Sequence, residues 1–166
     1  MIYRTIFFLI SIISIAPLTA QEYKIGIVTD FRQSFEIDSI IRYMVDQVDQ
    51  TIGSGNTLTL APTDVSYNNL NFEDAAKNYS QLAKRIDLAV LIGGNSVKGV
   101  SNLKDHPVPT FGMGILDPGI QEIPYSEGKS GVPNFTYICS ANGFEVDLRE
   151  FTRIVPFKNL TILTNP

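Results

Sequence analysis

Three runs of polar or flexible residues each follow an apolar, strand-like run: Thr29-Asp30-Phe31, Gly93-Gly94-Asn95-Ser96, and Gly112-Met113-Gly114 leading to Asp117-Pro118. A Gly-rich turn from strand to helix presents backbone N–H groups at a helix N-terminus. That chemistry suits Gly94, Asn95 and Ser96 to a carboxylate or other anion. The same glycines equally serve a tight turn with no ligand. Asp117 before Pro118 reads either as a binding side chain or as a turn opener. Phe31 and Tyr137 suit stacking on an aromatic ligand, or a place in the core. Asp30 and Asp117 form the one plausible acidic pair if the chain is an exported α/β enzyme.

Other chemistry finds little support. His106 is the single histidine, with no second His or Cys at a metal-ligand spacing. Followed by Pro107 in a polar loop, it reads as a surface residue. The chain has no Gly-x-Ser-x-Gly elbow, no Walker loop and no three-glycine dinucleotide fingerprint. Cys139, the single cysteine, ends the apolar run Phe135–Cys139 and reads as a small buried hydrophobe rather than a reactive thiol. The expectation is a protein without catalytic residues, metal or cofactor. Thirteen Lys+Arg against seventeen Asp+Glu give a net charge of -4, and no basic stripe appears, which argues against a nucleic-acid partner.

The elements that position these residues follow from periodicity. Lys24–Thr29 is a β-branched apolar run, as expected of a parallel strand buried on both faces. From Ser34 the period changes. Ile37, Ile40, Ile41, Met44, Val45, Val48 and Ile52 recur at three and four, which predicts one amphipathic helix. Thr57–Leu60 is the expected second strand. A second helix starts from an Asn71 N-cap, with Glu73 and Asp74 in its first turn and Lys84 and Arg85 in its last. Asp87–Ile92 is the third strand, the turn at Gly93–Ser96 opens a short helix ending near Lys104, and Pro109–Met113 and Phe135–Ile138 are the fourth and fifth strands. Phe144, Leu148, Phe151 and Val155 mark a last helix, and Leu160–Leu163 a further strand. Repeated strand-helix units predict a Rossmann-like, doubly wound parallel sheet, whose ligands lie at the carboxyl ends of the strands.

The composition of the 166 residues, 44% hydrophobic and 18% charged, is that of a folded chain of about one domain. Its first segment differs from the rest. Arg4, the apolar run Ile6–Ala16 and the close Leu18-Thr19-Ala20 have the order of a secretory signal peptide over residues 1–20. The run falls short of the roughly 20 residues that span a bilayer, and Gln21 stands where lipidation needs a Cys. A soluble, periplasmic or secreted protein with no permanent membrane anchor is expected.

Taken in order, Tyr23–Val28, Asp87–Gly93, Pro107–Phe111, Asp117-Pro118, Ile154–Leu160 and Asn165-Pro166 resemble the ABC-type substrate-binding proteins of the type I periplasmic-binding fold, in the branch that includes aromatic amino-acid binders. The resemblance implies that residues 21–139 form the N-terminal α/β lobe. Residues 140–166 would then hold the crossover helix and the first strand of a second lobe. It further implies a small amino-acid-like or carboxylate ligand, bound without catalysis between lobes, and a membrane permease of an ABC transporter as a partner. Its site falls on Asp30, Phe31, Gly94, Asn95, Ser96 and Asp117. Gly94-Asn95 stands where the family commonly has Thr-Pro. An accessory or sensor of an envelope export system is the alternative, and an exported enzyme a more distant one.

Overall fold

The computed structural model describes residues 21–52, 55–139 and 143–161. The expected leader lies outside them, as do residues 162–163 of the expected last strand. Leu160 and Thr161 are described and carry no strand pairing.

In chain order the elements are β1 (Gln21–Thr29), α1 (Phe35–Thr51), β2 (Asn56–Thr59), β3 (Val65–Tyr67), α2 (Phe72–Leu82), β4 (Leu88–Ile92), α3 (Gly94–Ser101), β5 (Thr110–Ile115), β6 (Phe135–Cys139) and α4 (Gly143–Ile154). The strands form one parallel sheet in the order β2-β1-β4-β5-β6, with β3 also on β1. β2 pairs with the first part of β1 (Tyr23↔Leu58) and β3 with its end (Thr29↔Tyr67). The two are therefore one edge strand interrupted by a 3-10 turn at Pro62–Asp64. Periodicity finds only the first half, because Pro62 breaks the run and Val65-Ser66-Tyr67 is too short to show a period.

Alternation along the strands assigns the two faces. Ile25, Ile27 and Val90 pack against Ile41 and Val45 of α1. Val28, Ala89 and Leu91 point the other way, to Ala75, Tyr79 and Leu82 of α2 and Val97 and Val100 of α3. The fold is thus the doubly wound α/β sheet expected. α2 and α3 pack closely: a Cβ on Gly99 would lie 2.1 Å from the Phe72 carbonyl oxygen, so only glycine admits the approach.

The caps follow the sequence at the helix starts. Ser34 Oγ accepts from the Ile37 N–H, and Asn71 Oδ1 from the N–H groups of Glu73 and Asp74. The helix ends differ. α2 stops at Leu82, before Lys84 and Arg85, and Arg85 instead reaches Asp64 at 2.8 Å in the turn that splits the edge strand. α3 stops at Ser101 rather than near Lys104. His106, expected at the surface, is buried. Its Nε2 lies 2.9 Å from the Val100 carbonyl, and its ring sits 5.9 Å from Tyr79 and 5.3 Å from Phe135. The loop folds inward because the imidazole takes up a carbonyl at the end of α3 and offers its faces to aromatic neighbours.

Candidate functional site

The carboxyl ends of β1, β3, β4 and β5 lie along one edge of the sheet. At its centre stands Asp30, the residue after β1. Its backbone N–H donates to the Ile92 carbonyl, which ties the ends of β1 and β4 together. Its side chain is nine-tenths buried and accepts four hydrogen bonds. Oδ1 takes the Ser96 N–H (2.7 Å), the Ser96 hydroxyl (2.7 Å) and Asn68 Nδ2 (3.2 Å), while Oδ2 takes the Asn95 N–H (2.9 Å). Asn68 Nδ2 also donates to Ser96 Oγ at 2.8 Å. Asp30 thus sits where unpaired amides and the helix dipole both favour negative charge, at the start of α3. The anion that this turn accepts in the structure is the chain's own carboxylate.

Two glycines make room for it. Gly93 has φ +110, and a Cβ there would lie 2.3 Å from Asp30 Oδ2. Gly114 at the end of β5 has φ +83 and backs onto Gly93, where a Cβ would lie 3.2 Å from the Gly93 nitrogen. Both left-handed conformations and both close approaches require glycine.

The loop after β3 closes over the other side. Asn68 N–H donates to the Thr29 carbonyl and Leu70 N–H to the Asp30 carbonyl, with Asn68 Oδ1 as a second acceptor for Leu70 N–H. This turn holds Asn69 at φ 52 and Leu70 at φ 67. A left-handed conformation is unusual for leucine, and strain of this kind gathers at functional edges. The Leu70 side chain is exposed, as is that of Phe31.

After β5, Asp117 Oδ1 accepts from the N–H groups of Gly119 (2.8 Å) and Ile120 (3.0 Å), the geometry of a turn opener. Gln121 Oε1 accepts from the N–H groups of Leu116 (2.8 Å) and Asp117 (3.0 Å). Its amide nitrogen lies over Gly94, where a Cβ would approach it to 2.3 Å. Gln121 therefore bridges the loop after β5 to the start of α3. Leu116 and Ile120 are exposed along this loop.

The structure thus brings Asp30, Gly94, Asn95 and Ser96 into one cluster, with Asp117 joined to it through Gln121. Ser96 is fully buried, Asn95 and Gly94 are half-buried, and Phe31 stands outside the cluster with about half its surface exposed. Asp30 and Asp117 share no hydrogen bond, and each carboxylate is engaged with backbone N–H groups. Tyr137 turns inward. Its hydroxyl donates to the Pro124 carbonyl, its ring lies 5.9 Å from Phe135, and burial pushes its pKa up. Cys139 is half-buried against the core. Sequence reasoning passed over Asn68, Leu70 and Gln121. For the first two a signal exists in Asn68-Asn69-Leu70-Asn71, where three residues of a type that tolerates left-handed backbone follow a short apolar run.

Among the described residues no group of three His, Cys, Asp or Glu side chains is placed to hold a metal ion. None of the described helices is long and apolar enough to cross a membrane.

No protein-family model matches the chain, and comparison with curated proteins finds no relative. Among solved structures, it is similar to the ligand-free, open form of CD0873, a substrate-binding protein with adhesive properties from Clostridium difficile. The match has a TM-score of 0.53 at 19% identity and covers 80% of this chain and 43% of that one. The chain therefore spans less than half the length of that protein. At this identity the likeness is one of fold: a parallel sheet flanked by helices, as in a lobe of a substrate-binding protein.

Proposed function

We propose that this chain is the N-terminal lobe of an exported solute-binding protein of an ABC-type transport system, and that it receives a small amino-acid-like or carboxylate ligand at the carboxyl edge of its sheet without chemically changing it. One observation carries the reading. Around a rigid polar knot at that edge, Phe31, Leu70, Leu116 and Ile120 leave apolar surface in water, where a doubly wound sheet places its ligands. The likeness of fold to a substrate-binding protein supports it.

The site residues divide by role. Asp30, Gly94 and Ser96 position the start of α3, and Asp117 shapes the neighbouring loop. Phe31, the Asn95 side chain and Leu70 touch the ligand. Because the start of α3 is neutralised from within, a ligand carboxylate finds its charged partner elsewhere, on a second lobe that begins within residues 140–166. Phe31, exposed at that edge, suits an aromatic ligand, in keeping with the branch that the sequence resembles. On this reading residues 1–20 are removed on export, the protein works in the periplasm or outside the cell, and a membrane permease takes the ligand on.

Thermal shift against a panel of amino acids and small carboxylates tests the reading, since saturating ligand raises stability by RT ln(1 + [L]/Kd). A protein carrying both lobes should respond to at least one member, and Phe31→Ala should reduce that response. A ligand whose effect is unchanged by Phe31→Ala, Leu70→Ala and Asn95→Ala alike would place the site elsewhere.

A further inference from the structure

The interrupted edge strand leaves a hollow on the opposite side of β1 from the central strands. Between α1 and the β2–β3 edge lies a groove of about 360 Å³. It exists because the chain leaves the sheet between Thr59 and Val65, so α1 has no continuous strand beneath it. The floor is apolar, made by Ile41, Val45, Leu58, Leu60 and Val65. Its volume falls within the range of roughly 300–1,000 Å³ typical of small-molecule sites.

The rim is charged along one line. Asp38, Arg42 and Asp46 line the groove at successive intervals of four on α1, so they follow one another over about 12 Å of helix. At the Asp38 end the Tyr67 hydroxyl donates to Asp38 Oδ1, which fixes the carboxylate. Burial, and then that hydrogen bond, pushes Tyr67 up to about 12, so the phenol keeps its proton. Among the described residues Arg42 and Asp46 take part in no ion pair. With two carboxylates against one guanidinium, the rim carries a net negative charge above a hydrocarbon floor.

We propose that this groove is a second binding site, separate from the carboxyl edge, for a small organic cation whose hydrocarbon body lies on the apolar floor and whose ammonium group meets Asp38. Asp46 adds to the attraction from the far end. Arg42 opposes it, so a cation binds in spite of Arg42 and an anion would bind because of it.

The test is amide-shift mapping with three probes sharing one hydrocarbon chain: hexylamine, hexanol and hexanoate. Hexylamine should move the amides of Asp38, Val45, Leu58 and Tyr67, with hexanol and hexanoate weaker. Asp38→Asn should weaken hexylamine about fivefold, the scale of one ion pair at a partly exposed site. Asn still offers an oxygen to Tyr67, so this variant retains the local bond. Arg42→Gln should leave hexylamine bound as tightly or about twice as tightly, and Phe31→Ala should leave it unchanged while affecting any ligand of the carboxyl edge. Unmoved groove amides, hexanol or hexanoate binding as well as hexylamine, or an affinity indifferent to Asp38→Asn would each overturn the proposal.

Discussion

Replacing Asp30 by alanine should cost more stability than any other single change at the carboxyl edge. The side chain accepts from two amides that open α3, from the Ser96 hydroxyl and from Asn68. Ser96 and Asn68 keep their mutual hydrogen bond at 2.8 Å when Asp30 is removed, so their loss is partial. The two amides lose their only side-chain acceptor. Orphaning a buried donor costs about 1–3 kcal/mol, so the pair costs about 2–6 kcal/mol, and about 4 kcal/mol is a reasonable centre. Against a total stability of about 5–15 kcal/mol that is a large share. At about 3–5 °C per kcal/mol for a domain of this size, the melting temperature should fall by about 12–20 °C. Urea unfolding should show a lower midpoint with an unchanged slope. Asp30→Asn keeps one acceptor oxygen and should lose about half as much. Ser96→Ala keeps its amide and should cost about 1 kcal/mol, with a coupling to Asp30→Ala of at least about 0.5 kcal/mol in a double-mutant cycle. A loss under about 1 kcal/mol for Asp30→Ala would refute the claim that this carboxylate anchors α3.

Gly93→Ala should cost at least about 2 kcal/mol, because φ +110 is unfavourable for alanine and the new methyl displaces Asp30; denaturant midpoints measure it. Gly99→Ala should cost about 1–3 kcal/mol by forcing α2 from α3, also read by urea unfolding. Tyr67 is raised from 10.0 to about 12, so its contribution to stability is fully present below pH 10 and is lost as pH rises to 12. Tyrosinate absorbance should show late-titrating tyrosines, among them one contribution that Tyr67→Phe removes while those of Tyr79 and Tyr137 stay, and the variant should lose less stability than the parent across that window. In α4, whose Leu148, Phe151 and Ile154 are exposed, amides should exchange faster than those of Ile25–Val28 and Leu88–Ile92. Equal protection would show that α4 is packed in solution.

The sheet and its winding were legible because they rest on short-range patterns. Ile25 and Ile27 alternate with Val28 across β1, and Ile41 and Val45 repeat along α1, so each element declares its own inner face. The Asn71 cap was legible for the same reason, since its acceptor lies two and three residues from the donors it serves. Long-range geometry was not. Nothing local to Gly93–Ser96 shows that its amides are taken by Asp30, about 65 residues earlier in the chain. The residue types at the edge were found, but their roles were not, because an acidic side chain and an anion site read as two features until the fold superimposes them. His106 shows the same limit of local reasoning: Pro107 and polar neighbours suggest a surface loop, yet the acceptor at Val100 and the rings of Tyr79 and Phe135 draw it inside.

Amide-shift mapping with amino acids and small carboxylates at saturating concentration tests the proposed function most directly. At least one ligand should move the amides of Phe31, Leu70, Asn95 and Leu116–Ile120 together, and leave those of Gln21–Lys24 and Lys84–Asp87 at the opposite edge unmoved. Shifts confined to other parts of the molecule, or none at the carboxyl edge with any member of the panel, would contradict a ligand held there.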